Sequence, residues 1–326
     1  MTLLKKYWFF LGILTVSTLP LLDKSDQTAS LGSWFKMHHG PEGSIFLVFI
    51  FSGLMVQSRQ IIAGMADAKG TAASLAITFL VAPAIARLWS VFPLPESIYT
   101  GIILIAIMPS TLSSGVIMTG LAGGNSIHAL LITILGNIMA IFTIPVTLQW
   151  LMSGDNIQTG NMEFAQSSLM LKIALLVVIP LAVGVTWRKA FPTTVKRFTP
   201  YAGIFSQISI LFIIWMAICN GKNDVVQGGI VFIAIILLST GLFHCMLILV
   251  GMYISHLCDI HKGRRESVII MGGQKTLPLS LIIQSSLFPD LGLAAVTCVL
   301  HHILHLAVDA FLVQYLKQKG NCSQRT

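Results

Sequence analysis

Charge is what this chain has least of. Only 10% of its 326 residues are Asp, Glu, Lys or Arg, 55% are hydrophobic, and the mean hydropathy is +0.84. Soluble domains carry roughly 25% charged residues, so a water-exposed globular fold is excluded and the bilayer becomes the solvent. Strict alternation of polar and apolar residues is also missing. The apolar runs are about 16 to 27 residues long, which fits spanning helices and excludes a transmembrane barrel. The five cysteines, Cys219, Cys245, Cys258, Cys298 and Cys322, have neither paired nor metal-ligand spacing, so they read as packing residues.

Acidic residues are scarcer than basic ones, 12 against 20, for a formal charge of +8. Such an excess can signal nucleic acid, but its distribution here is that of a membrane topology. Runs bounded by polar, Gly or Pro breaks give ten candidate helices. They are Tyr7 to Leu22, Ser44 to Val56 with a polar extension, Thr71 to Phe92, Ile98 to Gly120, Ile127 to Met152, Ser168 to Trp187, Ile204 to Cys219, Gly228 to Ile254, Val268 to Leu287 and Leu291 to Tyr315. With the amino terminus in the cytoplasm, fourteen basic residues fall on that side. Three, Lys24, Lys36 and Lys222, fall on the other, while Arg87, Lys172 and Lys275 lie within spans. This positive-inside bias places both termini in the cytoplasm, in the inner membrane if the source is bacterial. The first run, short and preceded by Lys5 and Lys6, also fits a signal peptide. Its removal, however, would leave an odd number of spans.

The polar stretch Ser153 to Glu163, SGDNIQTGNME, divides the spans into five and five. A repeat of an odd number of spans enters the membrane from the opposite side, so residues 1–152 and 163–326 are expected to be inverted repeats within one transmembrane domain. The fourth span of each half is interrupted. In the first half, Pro109, Ser110, Thr111, Ser113, Ser114 and Gly115 crowd the centre; in the second, Gly272, Gly273, Gln274, Lys275, Thr276 and Pro278 do. Proline removes a backbone donor, while Ser, Thr and Gly favour other conformations. Non-helical backbone survives at membrane depth only when buried in protein or facing a watery cavity. Two kinked helices would satisfy the same pattern. Lys275 argues for more, because a cation at a span centre costs about 3 kcal/mol on insertion scales and calls for a partner or a function.

These residues resemble the bile acid:sodium symporter family, in particular the divergent branch that includes solute carrier family 10 member 7 and bacterial relatives. The matching pieces run in order through nearly the whole chain. They are SGL at Ser52 to Leu54, IIAG at Ile61 to Gly64, MPSTLSSGVIMTGLAGGN at Met108 to Asn125, Pro145, GGQKTLPLSL from Gly272, LFP at Leu287 to Pro289, and His302. The resemblance implies an all-α membrane protein of ten helices in two inverted five-helix repeats, a panel and a core, with the broken fourth and ninth helices crossing in the core. It also implies sodium ligands, of which Ser114, Thr133 and Gln274 are kept here. Gly115, Ala129, Thr78 and Ile270 stand where sodium-coupled members have Asn, Ser, Gln and Glu. A cation cage needs several oxygens, usually including a carboxylate, so sodium coupling is doubtful, and Lys275 is expected to replace the ion or to serve proton coupling.

Other polar residues have blander readings. His301, His302, His305 and Asp309 lie on one span, with His301 and His305, and His305 and Asp309, one turn apart. The metalloprotease pattern requires a Glu after its first His, and His302 stands there instead. Interhelical bonding, a proton path or a substrate contact remain open. Arg87 and Lys172 are expected to extend to the interface, His128 and His244 to bond a neighbouring helix, and Asn125 to shape the turn into the fifth span.

The expectation is a secondary transporter of a small organic solute, an organic anion, with no cofactor beyond a coupling ion, Na+ or H+, and no nucleic-acid partner. Its expected site residues are Ser113, Ser114, Thr133, Gln274, Lys275, Thr276 and His302. An intramembrane enzyme using the tenth-span histidines and a non-transporting regulatory protein are the alternatives.

Overall fold

Apolar runs without water have one way to satisfy their amides, and the computed structural model of this chain is helical throughout: no strand occurs among the described residues, 2–55, 67–152 and 162–322. The IIAG segment, Arg59, Arg325 and nearly all of the central SGDNIQTGNME stretch lie outside them. Helix α1 covers Thr2–Leu22, α2 Gln27–Met37 and α3 Gly40–Met55. Helix α4 (Ala68–Val91) contains a π turn at Ile77–Val81. Then come α5 (Glu96–Ala106), α6 (Ser113–Leu121) and α7 (Ser126–Met152). Helix α8 (Met162–Ile173) continues through a second π turn (Ala174–Val178) into α9 (Ile179–Ala190). The chain ends with α10 (Pro192–Leu257), α11 (Arg264–Gly273), α12 (Leu277–Leu287) and α13 (Gly292–Cys322).

Five helical stretches among the described residues are long and apolar enough to cross a membrane: Ala68–Val91, Ser126–Met152, Met170–Ala190, Pro192–Leu257 and Gly292–Gln318. Shorter apolar helices, among them Gly40–Met55 and Glu96–Ala106, pack between them. The protein is an integral membrane protein.

Two elements differ from the sequence reading. The segment after the first span, expected as a loop, carries α2. At 11 residues it is about 16 Å long, about half a bilayer core, so a search for spans passes over it. Its Phe35 ring packs on Phe212 and Trp215 of α10, and Gly32 sits directly against Cys219. The seventh and eighth spans are two helical segments, as expected, but the stretch Asn220 to Gln227, expected to separate them, continues the helix of the seventh. It breaks later, at Gly229, whose φ of 61° and ψ of −160° are open to glycine. Asn220, Gly221, Asn223 and Asp224 are weak helix formers, and packing overrides them: Gly221 lies against Gly292 and Val296 of α13, and Lys222 donates to Asp23 and Asp26.

Close approaches use small residues. Helices α3 and α9 cross where Gly53 and Gly184 face each other, and a Cβ on either would collide with the other's backbone. Asn125 ends the turn before α7 by accepting from the amides of Ile127 (2.9 Å) and His128 (3.0 Å), the capping role expected of it.

Candidate functional site

Both interrupted spans are broken in the structure. Helix α5 stops at Ala106, residues 107–112 are non-helical, and α6 starts at Ser113. Helix α11 stops at Gly273. Gln274 and Thr276 are extended, with ψ of 145° and 130°, before α12 begins. The two breaks meet: the Thr276 amide donates to Pro109 O at 2.9 Å.

Every break leaves orphan carbonyls, and Lys275 collects them. Its buried Nζ donates to Ala106 O (3.0 Å) and Met108 O (3.0 Å) at the end of α5 and to Thr78 O (2.9 Å) in α4. Thr78 O is available for a local reason. In the π turn the Ala82 amide bonds Ile77 O, and the next residue, Pro83, has no N–H to offer. A cation against a helix C-terminus also complements its dipole.

Gln274 forms the side-chain half of the junction. Its Oε1 accepts from Thr111 Oγ1 (2.5 Å) and Ser114 Oγ (3.2 Å), and these two hydroxyls are 2.6 Å apart. Its Nε2 donates to Asp309 Oδ2 on α13 at 2.7 Å. Asp309 Oδ1 lies 3.0 Å from His244 Nε2 of α10, and His305 Nε2 lies 2.9 Å from His302 Nδ1.

A cavity of about 320 Å³ opens beside the junction. Ser110, Thr111, Ser114, Thr276 and His302 give it a polar side, while Val48, Phe49, Ile210 and Leu306 give it an apolar one. The first turns of α6 and α12 border it; Thr111 Oγ1 accepts from the Gly115 amide of α6 at 3.2 Å, while α12 has no side-chain cap at its N-terminus. Such ends favour anions.

Of the expected site residues, Ser114, Gln274, Thr276 and His302 come together here, with Lys275 immediately behind. Ser113 opens α6, and its side chain lies outside the described residues. Thr133 turns back on its own helix, bonding Ala129 O at 3.0 Å, and does not border the cavity. Thr111 is as central as Ser114. Its place inside the first break was the available signal. The reach of Asp309 to Gln274 across 35 residues carried none.

The positions where the resemblance implies sodium ligands have a different environment. Ala129 and Ile270 belong to one apolar cluster with Ile132 and Met271. A Cβ on Gly115 would stand 2.8 Å from Met271 Sδ and 2.9 Å from Gln274 Oε1, so protein atoms fill the space an Asn side chain would need.

His128, Arg87 and Lys172 have protein partners. His128 bonds Thr71 (3.1 Å) and Ser267 (2.7 Å). Arg87 donates to Leu151 O near the end of α7, and Lys172 pairs with Glu42 at 3.1 Å, so both have protein partners rather than water alone.

A family model described as the SBF-like CPA transporter family matches residues 7–318. Among curated relatives, an Arabidopsis thaliana protein named probable sodium/metabolite cotransporter BASS4, chloroplastic, is 27% identical over 287 residues, 84% of this chain and 65% of its own length. The zebrafish sodium/bile acid cotransporter 7 is 26% identical over 68% of this chain and 65% of its own. The yeast solute carrier RCH1 is 28% identical over 58% of this chain and 46% of its own. The chain thus spans just under two thirds of the Arabidopsis and zebrafish relatives. These names are those of transporters, not enzymes.

Proposed function

The chain belongs to the SBF-like CPA transporter family, and on that premise we propose that it moves a small organic anion across its membrane by alternating access, without sodium as the coupling ion. Residues 1–152 and 163–326 serve as inverted repeats of one transport domain, with both termini cytoplasmic. The observation that carries the reading is the junction of the two breaks beside the cavity. The starts of α6 and α12 and the Thr111, Ser114 and His302 side chains border the space, while the Lys275 ammonium faces the opposite helix end.

The division of labour follows from electrostatics. Helix N-termini carry partial positive charge and C-termini partial negative charge. Lys275 neutralises the C-terminal end of α5, so the N-terminal ends of α6 and α12 are left to the solute. In a sodium-coupled protein a mobile cation would balance the junction; here a fixed ammonium supports it at all times. The volume suits a solute at the lower end of the range of small-molecule sites.

The test is a thermal-stability screen of purified protein against small carboxylates and sulfonates, each in sodium and in potassium buffer. A ligand that binds only the folded state raises the apparent stability. A stabilising anion is expected to act equally in both salts and to lose its effect in Gln274→Ala. Stabilisation that appears in sodium alone would contradict the proposal. Binding without exchange in proteoliposomes would favour the non-transporting alternative.

A further inference from the structure

Behind the junction, where α10 and α13 pack, lies a cluster that the transport reading does not use. His244, His301, His305 and Asp309 are each at most 2% exposed. His244 Nε2 stands 3.0 Å from Asp309 Oδ1, and His305 Nδ1 stands 3.7 Å from Asp309 Oδ2. One ligand atom from each of His244, His305 and Asp309 can be chosen so that all lie within 4.8 Å of one another. A tetrahedral ion with bonds of about 2.0–2.1 Å holds its ligand atoms about 3.4 Å apart, so a small contraction closes the set.

A second observation points the same way. Both ring nitrogens of His301 and Nδ1 of His305 are buried without a hydrogen-bond partner. The three ring centroids are spaced 5.2 Å (His301 to His305), 5.5 Å (His244 to His305) and 5.8 Å (His244 to His301). Three imidazoles sharing one ion at such bond lengths would have centroids about 5 Å apart. Buried nitrogens without partners are costly.

We infer that His244, His305 and Asp309 form a resident site for a zinc-class divalent transition-metal ion, with the neighbouring His301 ring, which lies outside that set, turning in as the fourth ligand. Imidazole and carboxylate donors without a thiolate suit Zn2+, Co2+ or Ni2+ rather than a soft monovalent ion. The surrounding bonds have the arrangement of a metal site's outer shell. Asp309 Oδ2 accepts from Gln274 Nε2, and His305 Nε2 faces His302 Nδ1. With Nδ1 on the ion, His305 carries its proton on Nε2 and donates it to His302. His302 then keeps Nε2–H as its donor for the cavity it lines. The ion thereby fixes two groups at the solute site, holding Gln274 through Asp309 and His302 through His305. The site itself stands on the cluster alone and does not depend on the transport reading.

The experiment is Co2+ titration of chelator-stripped full-length protein, followed by visible absorption and by displacement with Zn2+. Expected are one Co2+ per chain, the intense bands of a four-coordinate ion, and a rise in Tm with Zn2+. Asp309→Asn and His305→Gln should each weaken binding at least 100-fold. Gln274→Ala should weaken it roughly 10-fold, as the loss of an outer-shell partner does. His128→Gln, which removes a buried imidazole elsewhere, should bind as the wild type does. Should the ligand variants fail to fold, X-ray absorption of the zinc-loaded wild type decides alone, with three imidazole shells and one oxygen expected. Binding that survives Asp309→Asn and His305→Gln would overturn the inference. So would folded wild type that takes up no stoichiometric Co2+ or Zn2+, or that responds to pH and not to metal.

Discussion

The two broken spans look alike in sequence and do opposite work. The first, between α5 and α6, presents acceptors: the carbonyls of Ala106, Met108 and Pro109 point at the second break. The second, between α11 and α12, presents donors, the Lys275 ammonium and the Thr276 amide. Only Gln274 reverses the sense, accepting from the Thr111 and Ser114 hydroxyls. Neither break satisfies all of its own backbone, and each supplies part of what the other lacks. A crossing built in this way keeps non-helical backbone at membrane depth with its polar groups paired between the two breaks.

The largest expected effect comes from removing the central donor. Lys275→Met leaves the carbonyls of Thr78, Ala106 and Met108 unpaired, and each buried orphan costs about 1–3 kcal/mol. A loss of about 3 kcal/mol or more is expected, read as a large drop in Tm and in yield of monodisperse protein. Lys275→Arg keeps the charge but not the compact point donor, so it should rescue only part of the loss. A Met variant as stable as the wild type would mean that the breaks do not depend on each other.

Gln274→Ala comes next. It releases Thr111, Ser114 and Asp309 together, and a cost of about 1–3 kcal/mol is expected along with loss of solute-dependent stabilisation. Gly115→Asn tests the other direction, since it restores the residue type of sodium-coupled members where Met271 and Gln274 already fill the space. Overpacking of that kind costs about 1–3 kcal/mol, and Gly115→Asn with Met271→Ala should recover part of it. Smallest is Ser114→Ala, with a stability change of about 1 kcal/mol or less, because Thr111 still reaches Gln274 at 2.5 Å. Thr111→Val should cost more than Ser114→Ala, an order that thermal melts can check.

Most of the skeleton could be read from the residues alone. Long apolar runs with few charges allow little but helices, and Pro109 and Pro278 with their Gly, Ser and Thr neighbours mark both breaks. The pairing of the breaks was legible as a shared position in two halves, but the sense of the pairing was not. Which carbonyl Lys275 takes depends on the π turn in α4 and on Pro83 following it, a register detail that hydropathy does not encode. Helix α2 escaped because it is too short to span. The continuity of α10 through Asn220 to Gln227 escaped because Asn, Gly and Asp read as a loop, and only packing against α13 carries the helix through them. The histidine cluster was half visible: spacing puts His301, His305 and Asp309 on one face of α13, while His244 joins them from α10 only through packing.

The most direct test of the central claim is solute exchange by the wild-type protein in proteoliposomes, driven by a gradient of an anion identified by the stability screen, with sodium on both sides or potassium on both sides. Equal initial rates in the two salts are predicted, because Lys275 already holds the crossing that a bound cation would otherwise support. Exchange that occurs in sodium and stops in potassium would contradict the account.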